Sequence, residues 1–287
     1  MKNRLLLEPI FLKHHMNSDN NIKEKSHLAD LELSAMARYF ASTAIVAALE
    51  DEIAQILLSM NVVESLEVAG RKFWLATYHG KKVVIVLSGI GKVAAAITTI
   101  CLIKDFGVSK IVFTGVAGGV SDTLNIGDIV VGTQFVQHDM DASPLFPRYV
   151  VPGYKSPYFS ADEEITKNLL KACEKALKVI SEEGAIYEKF KLKNAQTKCG
   201  EILSGDQFIA NSNIRNKLSE EHPQALAVEM EGAAVAQVCL DFGIKFGVVR
   251  TISDAASDSA EIDFTQFLTS VASRYSALII KEYLEIS

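Results

Sequence analysis

The chain predicts an α/β fold with a mostly parallel central sheet covered by helices on both faces, and three observations carry that reading. From Ser42 onward, short apolar runs alternate with helical ones. Hydrophobic residues make up 49% and charged residues 22% of the 287 positions, a globular balance long enough to bury a sizeable core. No repeat or linker interrupts the pattern, so residues 42–287 read as one domain. Residues 1–41 read as an N-terminal extension, either disordered or a short capping helix, and Met16 or Met36 is an alternative start.

The elements follow in order. Ser42 to Leu49 (STAIVAAL) is a buried strand, and Glu50, Asp51 and Glu52 open a helix with the acidic first turn that a helix dipole favours. Arg71 to Tyr78 and Val83 to Ser88 flank His79-Gly80-Lys81-Lys82, a hairpin signal. Gly89-Ile90-Gly91-Lys92 turns into a helix that ends at Gly107. Lys110 to Thr114 is a third buried strand closed by a turn at Gly115 to Gly119, and Asp128 to Asp139 is a fourth. Four of the six prolines lie between Pro144 and Pro157 with aromatic residues interleaved, a shaped excursion without regular structure. A helix over Glu164 to Ile180 and a charged surface segment to Lys198 precede the strand and loop of GEILSGDQF. Leu226 to Met230 is a strand, Gly232 to Phe242 a helix, and Phe246 to Ser253 the last strand. The polar stretch Asp254 to Asp263 is a candidate lid before the closing helix, Phe264 to Glu285.

Composition removes several function classes. A formal charge of −6 with no basic run leaves out the phosphate-neutralising term on which nucleic-acid binding depends. Cys101, Cys173, Cys199 and Cys239 lie far apart without CxxC spacing or clustered histidines, which argues against a zinc site and against a disulfide framework. They read as reduced, mostly buried thiols of a cytoplasmic protein. No apolar run reaches the roughly 18 residues of a membrane span. Leu5 to Leu12 is broken by Glu8-Pro9 and lacks a cleavage site, so it is not read as a signal peptide.

Open α/β sheets bind ligands beyond the carboxyl ends of their strands, and the polar residues gather there. Glu50 and Glu52 follow the first strand, Gly115 to Gly119 the third, Glu229 and Glu231 the sixth, and Asp254 the last. Neither glycine turn is GxGxxG or GxxxxGK[ST], which argues against a nucleotide cofactor. His138-Asp139 reads as a satisfied core pair rather than a metal site. Glu229 and Glu231, expected on one face of a strand inside ALAVEMEGAAVA, are harder to explain structurally, because a buried carboxylate needs a partner or a ligand. No apolar helical run begins after Asp254 until Phe264, so Asp254 is a poor helix cap; buried near other carboxylates, its pKa should rise, which suits a proton donor.

Seven segments in order over this region carry a resemblance: AALEDEI at 47–53, SGIGKVAAA at 88–96, TGVAGG at 114–119, GDIVV at 127–131, SGDQFI at 204–209, AVEMEGAAVA at 227–236 and VVRTISDAA at 248–256. With these, the chain resembles the 5'-methylthioadenosine/S-adenosylhomocysteine nucleosidases of the purine nucleoside phosphorylase superfamily. The resemblance implies a three-layer α/β/α nucleoside phosphorylase/hydrolase fold with a mixed, mostly parallel sheet, a homodimer, no cofactor, and hydrolysis of the N-glycosidic bond of a 5'-substituted adenosine. It assigns Glu52, helped by Arg250, to the attacking water and Asp254 to adenine N7. Glu231 would hold the ribose hydroxyls with Met230 against the sugar, Phe208 would stack on the base, and the Ile209 backbone would read its Watson–Crick edge. Ile90 and Phe264 would line the 5'-substituent pocket, completed by the loop Pro144 to Pro152 of a neighbouring subunit, and Ala117, Gly118 and Ser253 would complete the substrate-binding set.

Phosphorylases of this superfamily bring arginines to a phosphate, whereas the first strand here delivers Glu50-Asp51-Glu52 and KIVFTG delivers no arginine. Like charges repel phosphate, so water is the expected nucleophile. The chain departs from the family pattern in its N-terminal extension, in Val116 where some members carry serine, and in longer segments at 144–157 and 181–198.

Overall fold

The computed structural model describes residues 40–182, 190, 192–258 and 260–287. The N-terminal extension as far as residue 39, and residues 183–189 and 191 of the charged segment, lie outside the described residues.

Among the described residues ten strands form one sheet: β1 (Thr43–Ala47), β2 (Asn61–Val68), β3 (Arg71–Tyr78), β4 (Lys81–Leu87), β5 (Lys110–Gly119), β6 (Ile129–Gln137), β7 (Phe159–Ser160), β8 (Thr197–Ser204), β9 (Ala225–Glu229) and β10 (Lys245–Asp254). The helices are α1 (Glu50–Ser59), α2 (Lys92–Lys104), α3 (Glu163–Glu182), α4 (Ser212–Glu221), α5 (Gly232–Phe242), α6 (Ala260–Phe267) and α7 (Ser273–Ile286), with a π-helical turn over Leu268–Ala272. The sheet order is β10-β6-β8-β9-β5-β1-β4-β3-β2, and β10 also pairs with β5. Five strands therefore close on themselves, and β1, β4, β3 and β2 extend from them as a wing. Parallel pairing joins β1 to β4 and β5, β5 to β10, and β8 to β6 and β9; the hairpins of the wing, β6 with β10 and the short β5–β9 contact are antiparallel.

Two apolar layers sandwich the sheet. On one face α1, α3 and α7 bury Ile53, Ile56, Ile165, Leu169, Tyr275 and Ile279; on the other, α2 and α5 bury Ala95, Leu102, Val235 and Cys239. The wholly apolar stretches of β4 (Val83–Val86) and β5 (Ile111–Phe113) suit strands covered on both sides, where alternation disappears.

Most expected elements are in place, and the differences have local causes. The stretch Gly115 to Gly119 is strand, not turn: β5 continues through it, pairing with β10 and, at Gly118 and Gly119, with β9. His79 and Gly80, at φ 46° and 81°, make the two-residue turn of the β3–β4 hairpin, so β4 begins at Lys81. β2 went unread because its outer edge exposes Val62 and Val63 and its pattern does not alternate. α4, missed as well, is polar along its length, buries only Leu218, and is started by Asn211 accepting the Asn213 and Ile214 amides at 2.9 and 3.2 Å. The closing helix is α6, the π turn and α7 rather than one piece, and the stretch read as a lid begins inside β10 and ends inside α6.

Candidate active site

Four strand ends meet at one place because β1, β4, β5 and β10 run parallel as neighbours. Each delivers residues to the same edge: Ala48, Leu49 and Glu52 after β1, Ile90 after β4, Val116 to Gly118 on β5, and Ser253 and Asp254 on β10. β9 runs antiparallel across the end of β5, with Val228 beside Gly118, so Glu229, Met230 and Glu231 arrive there as well. Together with Phe208 and Phe264, these residues line a cavity of about 370 Å³. That volume lies in the range of small-molecule sites.

The cavity holds most of the expected residues: Glu52, Asp254, Glu231, Met230, Phe208, Ile90, Ala117, Gly118, Ser253 and Phe264. Two stand outside its lining. Ile209 is buried with Val120, Val136, Leu218 and Val228 in a separate small cluster below the loop that carries Phe208. Arg250 lies behind the carboxylates, 1% exposed, with its guanidinium 4.2 Å from the Phe113 ring.

Glu231 also differs from the expected position. The strand ends at Glu229, and Glu231 is the residue before α5, so the two carboxylates do not share a strand face. Their separation gives them different work. Glu229 accepts the Gly232 amide at 2.9 and 2.8 Å and the Glu231 amide at 3.2 Å, takes the Ser204 hydroxyl, and pairs with Arg250 Nη2. It is saturated by its own chain and holds the strand-to-helix turn. Glu231 accepts the Gly91 amide at 2.9 Å and lies 3.5 Å from Arg250, leaving its carboxyl open to the cavity.

Glu52 turns back from the first turn of α1. Its Oε2 accepts the Ala48 and Leu49 amides, each at 2.9 Å, and its Oε1 accepts the Val116 amide at 2.9 Å. These converging amides would suit an anion, but the chain's own carboxylate already occupies them. Gly115 makes the approach possible: a Cβ there would lie 2.5 Å from Arg250 Nη1 and 2.6 Å from Glu52 Oε1. Gly118 does the same for the acid at the end of β10, where a Cβ would sit 3.1 Å from Asp254 Oδ1.

Asp254 is held at both oxygens, with Oδ1 accepting the Ala256 amide at 2.8 Å and Oδ2 the Ser253 hydroxyl at 2.8 Å. Burial raises its pKa above the ordinary 3.8, outweighing both hydrogen bonds. Burial also raises Glu52 above 4.5, against the opposing charge of Arg250 and the three amides. Glu231 rises for two reasons: burial first, then the charge of Glu229 beside it. Carboxyls that hold protons above the usual range, around a space fit for a small molecule, are arranged to give and take hydrogen. Phe208 and Phe264 close the cavity with rings 5.3 Å apart at 71°, an aromatic wall suited to a flat heterocycle.

Sequence reasoning missed the backbone amides that hold Glu52 and the tie from Gly91 to Glu231. The glycines of TGVAGG were the available signal, since side chains there would collide with the acids. No group of three or more His, Cys, Asp or Glu suited to a metal occurs among the described residues. Among these residues no helix is long and apolar enough to cross a membrane.

Comparison with known proteins places this geometry. The family model described as the phosphorylase superfamily matches residues 42–285. The 5'-methylthioadenosine/S-adenosylhomocysteine nucleosidase of Shewanella sp. (strain MR-7) is 37% identical over 245 residues, covering 84% of this chain and 95% of that protein. The futalosine hydrolase of Helicobacter pylori superposes with a TM-score of 0.74 at 32% identity, over 86% of this chain and 98% of that one. A mutant Helicobacter pylori MTAN with 5'-methylthioadenosine in the active site superposes with a TM-score of 0.74 at 34% identity, over 85% of this chain and 98% of that one.

Proposed function

The chain belongs to the phosphorylase superfamily and, within it, to the 5'-methylthioadenosine/S-adenosylhomocysteine nucleosidases, and from that premise we propose how its cavity hydrolyses the N-glycosidic bond of 5'-substituted adenosines to release adenine. Methylthioadenosine and S-adenosylhomocysteine are the proposed substrates, with 5'-deoxyadenosine a further one. The observation that carries the reading is the meeting of Glu52, Glu231 and Asp254 in one cavity roofed by two aromatic rings.

Cleavage of the bond from C1' to N9 leaves positive charge on the ribose and negative charge on the purine, and groups that act where charge develops lower the barrier most. In this reading adenine stacks on Phe208, and Asp254, whose hold on a proton is strengthened by burial, donates to N7. Glu231 accepts the ribose hydroxyls and favours the cationic sugar, while Met230 packs against it. Glu52 orients and deprotonates the attacking water. Arg250 acts from behind as the counter-charge that keeps Glu229 and Glu231 in place, and through its field on Glu52. The Ile209 side chain serves the core, and its backbone is the part proposed to read the base edge.

Water rather than phosphate is favoured because the amides of Ala48, Leu49 and Val116 already bind a carboxylate, and no arginine among the described residues lines the cavity. The resemblance to the futalosine hydrolase supports a second reading, in which the substrate is an aminodeoxyfutalosine-type nucleoside with a bulkier 5' group. We take residues 42–287 as one catalytic domain of a cytoplasmic homodimer. Val93, Ile97 and Ile100 are exposed along one side of α2, near Ile90 at the cavity mouth, and support a subunit contact there that light scattering can test. The loop from Pro144 to Pro152 would reach the neighbour's 5' pocket in that assembly.

The test is a panel of these nucleosides with chromatographic detection of adenine, each run with and without phosphate. Adenine from methylthioadenosine without phosphate is the expected result. No adenine from any nucleoside would end the proposal, and strict phosphate dependence would replace it with a phosphorylase.

A further inference from the structure

The loop that carries Phe208 and the helix that faces Glu231 are joined by one side chain. Asp206 Oδ1 accepts the Lys92 amide at 2.8 Å, in the first turn of α2. The adjacent Gly91 amide is the donor that holds Glu231 at 2.9 Å. From the other side, the Asp206 amide donates to Asp139 Oδ2 at 2.9 Å, and Asp139 Oδ1 pairs with Lys92 Nζ at 2.6 Å. The loop is also tied to the far side of the cavity, because the Gly205 amide donates to the Glu229 carbonyl at 3.1 Å. Lys92 Nζ lies 3.3 Å from Gln137 Oε1, and Gln137 donates to Gln237 on α5 at 2.7 Å, so the node reaches the second helix of this face.

Asp206 is absent from the cavity lining, and so is Lys92. Neither touches the space a nucleoside would fill. Their bonds fix two things at once: the aromatic platform two residues along the loop at Phe208, and the amide that orients Glu231. We propose that Asp206 is a positioning residue, clamped by Lys92 and Asp139, that sets the base platform against the ribose carboxylate. The proposal rests on the nucleosidase reading. It adds a residue whose work is geometric and whose loss should be felt at the sugar and the base together. A misplacement of about 1 Å between such groups can cost on the order of a hundredfold in rate.

The acceptor geometry, rather than the charge alone, is what the clamp needs, so Asp206→Asn and Asp206→Ala separate the two. Asparagine keeps an oxygen for the Lys92 amide, and alanine does not. With methylthioadenosine as substrate, Asp206→Ala should lose about 10- to 100-fold in kcat/KM, most of it in kcat, while Asp206→Asn stays within about threefold of wild type. A double-mutant cycle with Glu231→Gln gives the decisive reading, since residues acting through one another are not additive. If Asp206 acts through Glu231, its alanine penalty shrinks to about threefold or less in the Glu231→Gln background.

Thermal melts of each variant run alongside, and an Asp206→Ala protein that melts with wild type yet loses kcat supports the clamp. Wild-type kcat/KM in Asp206→Ala overturns it, as does an asparagine variant as impaired as alanine, or full additivity with Glu231→Gln. Should wild-type protein release no adenine, the function itself fails; adenine release with an unaffected alanine variant sinks the clamp alone.

Discussion

Replacing Asp254 by asparagine should stop the chemistry while leaving the fold intact. The wild-type carboxyl is 1% exposed at the end of β10, and its oxygens are fixed by the Ala256 amide and the Ser253 hydroxyl, each at 2.8 Å. Asparagine Oδ1 can keep the Ala256 bond. Its Nδ2 then faces Ser253, whose hydroxyl also lies 3.3 Å from the Ala117 carbonyl and can turn to donate there while accepting from the amide. Because asparagine keeps the shape and both hydrogen-bond partners of the side chain, the melting temperature should stay within about 2 °C of wild type. What disappears is the transferable proton. A positioned general acid contributes about 10² to 10⁴ in rate, so kcat should fall by that factor, equivalent to about 3–5 kcal/mol of barrier. KM should change by less than about threefold, since an amide can still donate a hydrogen bond to a purine nitrogen. The assay is adenine release under saturating methylthioadenosine, with circular dichroism melts of both proteins. A variant that melts like wild type and keeps kcat within tenfold would refute the acid assignment.

Other substitutions test the neighbouring parts. Glu231→Gln keeps the acceptor for the Gly91 amide but removes the ionisable carboxyl from the cavity, and should lower kcat by about 10² to 10³. The same variant has a stability signature. Glu231 has a raised folded-state pKa, so the folded wild type holds that proton longer than the unfolded chain and loses stability as pH rises above 4.5. The melting temperature of Glu231→Gln should therefore gain on wild type as pH rises from 4.5, and parallel curves would contradict the burial argument. Gly115→Ala places a methyl 2.5 Å from Arg250 Nη1 and 2.6 Å from Glu52 Oε1, which should cost about 1–3 kcal/mol of stability in denaturant melts and displace Glu52 from its water. Unchanged stability and activity would show that the close approach is not required.

How much of this was legible in the sequence depended on the signal each residue carries. The buried strands were readable from unbroken runs such as VVIV in β4, and α5 from small residues bounded by Gly232 and Gly243. β2 and α4 were not, because neither owes its place to a buried stripe: β2 is an edge strand with exposed valines, and α4 buries one leucine. At the site, side-chain identities were legible and backbone partners were not. Glu231 was placed on a strand face because period-two spacing from Glu229 looks the same whether or not the chain turns into a helix between them. Arg250 shows the same limit. The resemblance sets it beside Glu52 as a helper at the water, whereas the structure sets it behind Glu229, 1% exposed and paired with that carboxylate.

The central claim is that this cavity delivers water, not phosphate, to a sugar made cationic by protonation of its leaving base. Running the reaction in heavy-oxygen water with phosphate present, and weighing the released sugar by mass spectrometry, tests it most directly. The account predicts heavy oxygen in the new hydroxyl at the anomeric carbon and no sugar phosphate. An unlabelled sugar carrying phosphate at that carbon would contradict it.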